Sequence, residues 1–261
     1  MTAPTTNGAI RSAAIAGSGF IFLFICWFLA TSVFGLIAPV RFPSPADVYR
    51  AFVRLLGPGY ADADLLTHAF QSVQRVLLGY ILAAVIAIPL GIVMGLSRWA
   101  DGIINPVFQL LRPIPALAWI PLAILWFGLG LSAQVFVICL AAFGPMVINT
   151  YTGVRLVNPN LVAAARVHGA NARYLLTDVV IPSALPMIFT GLRISLQVCW
   201  MAVVAAELVG STSGLGHVMI MAERDLDPAS IAAGMISVAV LGMVMTAVLS
   251  AVERAIMPWL S

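Results

Sequence analysis

Asn158-Pro-Asn-Leu-Val-Ala-Ala-Ala-Arg-Val-His-Gly-Ala-Asn-Ala-Arg-Tyr-Leu-Leu-Thr-Asp-Val-Val-Ile-Pro-Ser-Ala-Leu-Pro186 separates two apolar runs, each long enough to cross a bilayer, yet carries helix start and stop signals of its own. Asn158 is suited to cap a helix whose first position is Pro159, where a missing N–H costs nothing, and Gly169 to end it in the left-handed conformation. Asn171 then caps a second short helix, which Pro182 is expected to close. A disordered loop has no use for two capped helices in so few residues, so the stretch reads as a docking element. Its first helix, about 15 Å long, presents Leu161, Ala164, Ala165 and His168 on one broad face, with Arg166 as a polar rim.

The composition explains what surrounds this stretch. Of 261 residues, 62% are hydrophobic and 9% charged, and the mean hydropathy is +1.05. A soluble domain carries about 25% charged residues, so the chain reads as an integral membrane protein. Its 13 basic residues are all arginine and its net charge is +3, too small and dispersed a surplus to suggest nucleic-acid binding. Cys26, Cys139 and Cys199 fall inside apolar runs, and no pair has metal-ligand spacing. The first apolar run is too long for a signal peptide and lacks a small-residue cleavage site, so it is expected to be a retained anchor.

A helical span needs about 20 apolar residues. Six segments qualify: Gly17 to Ile37, Val76 to Leu96, Ile114 to Leu129, Ala133 to Val154, Pro186 to Val209 and Ile231 to Ile256. The expected organisation is a tail over 1–16, an anchor over 17–37, an external loop over 38–75, a core over 76–256 and a short tail over 257–261. Even parity places both termini on one side, together with the segment 155–185. That side collects Arg11, Arg98, Arg112, Arg155, Arg166, Arg173 and Arg254, against Arg41, Arg50, Arg54, Arg75 and Arg224 on the other, so the excess of arginine makes it cytoplasmic.

In the external loop, Pro43 to Leu56 reads as an amphipathic helix, with Val48, Ala51, Phe52 and Leu55 at 3.6-residue spacing and Arg50 and Arg54 facing water. Gly91 and Gly95 form a small-xxx-small pair that admits a close helix neighbour.

 The segment Leu110 to Gly130 contains three prolines, Pro113, Pro115 and Pro121. Each removes a backbone donor, which a membrane tolerates only where protein or water satisfies the freed carbonyls, so a bent interior helix is expected. Trp126 suits an interfacial belt.

Little in the chain suggests an active site. A phosphate-holding loop needs a lysine, and there is none. No Gly-x-Ser-x-Gly or His-Glu-x-x-His pattern occurs, and His68, His168 and His217 are far apart in sequence, so neither a catalytic residue nor a metal site is expected. The informative intramembrane charges are Arg193 and Glu207, fourteen residues apart, on roughly one helical face and about 21 Å apart along the axis. With Trp200 midway, they form a stripe that lines either a translocation path or a helix interface; they are too far apart to pair with each other. The other reading is that each snorkels to its own membrane surface.

The residues around the opening stretch resemble the permease subunits of bacterial ATP-binding-cassette importers, in the nitrate, sulfonate, taurine and bicarbonate group. Their cytoplasmic mark is Glu-Ala-Ala, three residues, Gly, nine residues, an aliphatic residue, one residue and Leu-Pro. Its spacing is kept here by Ala163, Ala164, Ala165, Gly169, Val179, Ile181 and Pro182, with Ala163 in place of the glutamate and isoleucine in place of leucine. Arg112-Pro-Ile-Pro-Ala-Leu-Ala-Trp-Ile-Pro-Leu, Trp126-Phe-Gly, Pro182 to Arg193 and Ala205-Ala-Glu-Leu look like the taurine branch. The resemblance implies an all-α integral membrane protein of about six transmembrane helices, with the type I importer permease fold and a cytoplasmic coupling helix. It further implies a pair of identical copies, two cytoplasmic ATPase subunits that hold ATP and Mg and dock near Asn160 to His168, and an external or periplasmic binding protein that delivers the solute. The setting is a bacterial inner membrane, with both termini cytoplasmic. The alternative is a secondary transporter driven by an ion gradient, for which Glu207 is the one plausible coupling site.

Overall fold

The computed structural model describes residues 17–19, 21–35, 38, 41–57, 60 and 62–260. The expected tail over 1–16 and the expected end of the first span at Ile37 lie outside the described residues. Among the described residues ten helices follow in order: α1 (Gly17–Val33), α2 (Pro45–Leu56), α3 (Leu65–Leu96), α4 (Arg98–Leu111), α5 (Ile120–Phe127), α6 (Leu131–Arg155), α7 (Pro159–Val167), α8 (Ala172–Gly210), α9 (Leu215–Arg224) and α10 (Pro228–Ile256). Among the described residues there is no β-strand, only an isolated bridge between Tyr60 and Ala63.

Among the described residues four helices, α3, α6, α8 and α10, are long and apolar enough to cross a membrane, and α4 with the segment Ala116–Phe127, bent by 83°, counts as a fifth when the pair is taken as one broken span. Six spans were expected. The difference lies in α1, whose described length falls short of a full crossing. The expected single helix from Ile114 to Leu129 is also corrected. Pro113 and Pro115 interrupt it, a 3-10 turn over Ala116–Trp119 restarts it, and the apolar helix Arg98–Leu111 supplies the other half. Proline removes donors there and fixes an extended approach, so the chain turns instead of continuing.

The chain divides into two units, Met1–Leu65 with Val218–Ile236, and Leu66–His217 with Ser237–Ser261. In the first, Ser44 and Asp47 form a capping box at the start of α2, whose buried face is Val48, Ala51 and Leu55. Hydrogen bonds from Ser44 hold the Asp47 carboxyl below its usual range. Arg54 is exposed, as expected, and pairs with Asp227 and Ser230.

In the second unit, glycines set the helix packing. A Cβ on Gly79, Gly91 or Gly95 of α3 would come within 2.5 to 2.7 Å of Ile138, Thr150 or Val154 of α6. All three pairs keep the same sequence offset, so α3 and α6 run parallel. A chain that leaves one helix and enters a parallel neighbour must cross back between them, and the bent pair is the apolar segment available to do so. Gly153 and Gly191 play the same part between α6 and α8, meeting Ala184 and Asn149 with the sequence order reversed, so these two helices are antiparallel. The core between them holds Val76, Ala83, Ala87, Ile138, Met146, Leu196 and Val203. Gly91→Ala should lower stability by about 1–3 kcal/mol, since the added methyl overpacks a rigid contact. Thermal unfolding in detergent measures this, with Gly102→Ala, which meets nothing within 4 Å, as the control.

Candidate functional site

The docking element forms as its caps dictate. The Asn158 side chain accepts the Asn160 N–H at 2.9 Å, and Pro159 opens α7. At the other end Gly169 has φ +82°, its N–H bonds the Arg166 carbonyl at 2.9 Å, and the Ala170 N–H bonds the Ala165 carbonyl at 3.0 Å. These two bonds define a Schellman stop. Leu161, Ala163, Ala164, Arg166 and His168 are exposed, while Val162 and Ala165 are half-buried. Where the resemblance has a glutamate, the exposed surface carries only the Ala163 methyl.

The second capped helix does begin at Asn171, whose side chain accepts the Tyr174 N–H at 2.8 Å. Pro182 does not close it, which corrects the sequence expectation. A π-helical turn over Leu175–Val180 widens the backbone just before Pro182, the proline falls in the first turn of the following α-helical stretch, and the helix continues to Gly210. Proline is tolerated where no intrahelical donor is needed, and single π turns accommodate such irregularities. The result is a 39-residue helix, about 58 Å long against a hydrocarbon core of about 30 Å. α8 therefore extends beyond the apolar layer, and α7 packs on its π turn.

Along α8, Arg193, Trp200 and Glu207 meet different surroundings. Arg193 pairs with Glu253 of α10, both partly exposed. Trp200 is buried, beside Gly242, and borders a cavity of about 580 Å³ with Gln197 and Thr246. Glu207 is wholly buried. Its carboxylate accepts Arg75 Nη1 at 2.6 Å, Ser72 Oγ at 2.8 Å and the Gly216 N–H at 2.9 Å. Arg75 also donates to the Ser213 carbonyl at 2.9 Å and to Ser213 Oγ at 2.7 Å, and His68 Nδ1 accepts the Gly214 N–H at 3.0 Å. Gly214, at φ +108°, has no room for a side chain, since a Cβ would lie 2.4 Å from both Arg75 and Glu207. The network ties α3, the end of α8 and the start of α9 together.

Sequence reading had identified Glu207 but not its partners. His68, Ser72 and Arg75 lie at i, i+4 and i+7 on one face of α3, a signal obscured by treating residues up to Arg75 as loop, whereas the helix starts at Leu65. Among the described residues no group of three or more His, Cys, Asp or Glu side chains is placed to hold a metal ion, although the His68 and His217 rings lie 6.3 Å apart.

A polytopic helical chain with an exposed capped helix on the extension of its longest span has the form of a membrane transport subunit. The chain belongs to the family described as binding-protein-dependent transport system inner membrane component, whose model matches residues 87–261. It is 38% identical over 240 residues to the taurine transport system permease protein of Escherichia coli, covering 92% of this chain and 86% of that one. It is 37% identical over 201 residues to the bicarbonate transport system permease protein of Synechococcus elongatus, covering 74% and 71%. Its fold is similar to that of an inward-facing methionine ABC transporter, at TM-score 0.65 and 18% identity, over 73% of this chain and 95% of that one. The protein is thus a multi-pass inner-membrane transport component of the ATP-binding-cassette permease type.

Proposed function

We propose that the chain forms, as two identical copies, the translocation path of an ATP-driven importer for a small oxyanion such as taurine, another sulfonate, nitrate or bicarbonate. The observation that carries this reading is α7, a capped helix exposed on the extension of α8, in a chain similar to taurine and bicarbonate permeases. Two ATPase subunits, holding ATP and Mg, receive the face of Leu161, Ala164 and His168, with Ala163, Ala165, Arg166, Gly169 and Pro182 shaping the coupling segment. Both termini then lie in the cytoplasm, and an external binding protein supplies the solute. When ATP closes the ATPases, α7 moves with them, α8 follows, and the paired permeases exchange inward-open and outward-open states.

The test is uptake by proteoliposomes that contain this chain, a P-loop ATPase encoded beside it and a binding protein. Taurine or bicarbonate should accumulate only with ATP on the ATPase side. Accumulation by this chain alone, driven by a proton or sodium gradient, would sink the importer reading in favour of secondary transport.

A further inference from the structure

We propose that Arg112 and Asn149 form an oxyanion-attracting station in the cavity between α4, α6 and α8; this rests on the oxyanion reading and gives it a location. The cavity holds about 580 Å³ and its walls include Trp119, Phe143, Ile194 and Val198, a volume within the roughly 300–1,000 Å³ of small-molecule sites. Arg112 also lines an adjoining cavity of about 570 Å³, so it stands where the two meet. Neither lining contains a carboxylate.

Arg75 is matched by Glu207, Arg155 by Asp101 and Arg193 by Glu253. Asp101, which also takes the Tyr151 hydroxyl and the Asn105 amide, is occupied by Arg155. Arg112 makes no ion pair or side-chain hydrogen bond among the described residues. Arg112 is exposed at the cavity surface, where its charge raises the local concentration of anions. Asn149 supplies direction: its amide donates one N–H to the Pro145 carbonyl at 2.8 Å, is backed by Gly191, and keeps its second N–H for a ligand oxygen. Arg193, the cation that sequence position singles out, has its charge neutralised by Glu253, whereas Arg112 is the arginine that lines both cavities.

The experiment reads local charge, whatever the solute. In the full importer, with Cys26, Cys139 and Cys199 replaced by alanine, N149C is reacted with anionic sulfonatoethyl and cationic trimethylammonioethyl methanethiosulfonate in phosphatidylcholine nanodiscs. I148C, which lines both cavities, serves if N149C does not fold, and L156C, at an exposed site, normalises for surface charge. The anionic-to-cationic rate ratio should fall by about tenfold with R112Q and be kept with R112K. A ratio that R112Q leaves unchanged overturns the proposal. So does a ratio that collapses in phosphatidylglycerol discs with Arg112 intact, which would assign the cation to a lipid phosphate. Uptake of taurine and bicarbonate is measured separately: a charge preference without uptake supports the station while removing those solutes, and uptake without the preference removes the station alone.

Discussion

Glu207→Ala should destabilise the protein by about 3–5 kcal/mol, the range for removing one partner of a buried ion pair. The Glu207 side chain is fully buried and Arg75 nearly so, so the substitution strands a guanidinium in the packed interior. Ser72 loses its acceptor and the Gly216 N–H loses its partner at the same time. Thermal unfolding of the purified chain in detergent measures the loss. The double variant Arg75→Met with Glu207→Met should be more stable than Glu207→Ala, because no charge is left uncompensated. A Glu207→Ala protein within 1 kcal/mol of the parent would show that the network does not hold α3, α8 and α9 together.

The difference between what was legible and what was not follows from the range of the interactions. Asn158, Gly169 and Asn171 act within four residues of themselves, and each caps a helix as local chemistry requires. Gly91 and Gly95 announced a close neighbour, yet only the fold shows that it is α6. Pro182 misled because its effect depends on the backbone just before it: after a normal helical turn it ends a helix, after a π turn it does not. Arg75 and Glu207 are 132 residues apart, a pairing that no local spacing encodes. Arg112 belonged to a recognisable motif, but its place on the walls of two cavities that contain no carboxylate emerges only from the fold.

Gly169→Val should reduce the solute moved per ATP hydrolysed by about 5–150-fold, the equivalent of 1–3 kcal/mol of coupling. The site has open space, with nothing within 4 Å of an added Cβ, so the effect comes from the backbone and not from crowding. At φ +82° a β-branched residue is strained by about 1–3 kcal/mol. Relief requires giving up the two bonds from Gly169 and Ala170 that stop α7. α7 then loses its fixed seat on the π turn of α8, and motion of a docked ATPase dissipates in the connection. Gly169→Asn is the discriminating control, because asparagine tolerates the left-handed region and should keep coupling near the parent level. Parallel measurements of uptake and hydrolysis in proteoliposomes decide it. Equal ratios in the valine variant and the parent would remove α7 as the transmitting element; loss in both variants would trace the defect to the side-chain surface instead of the backbone.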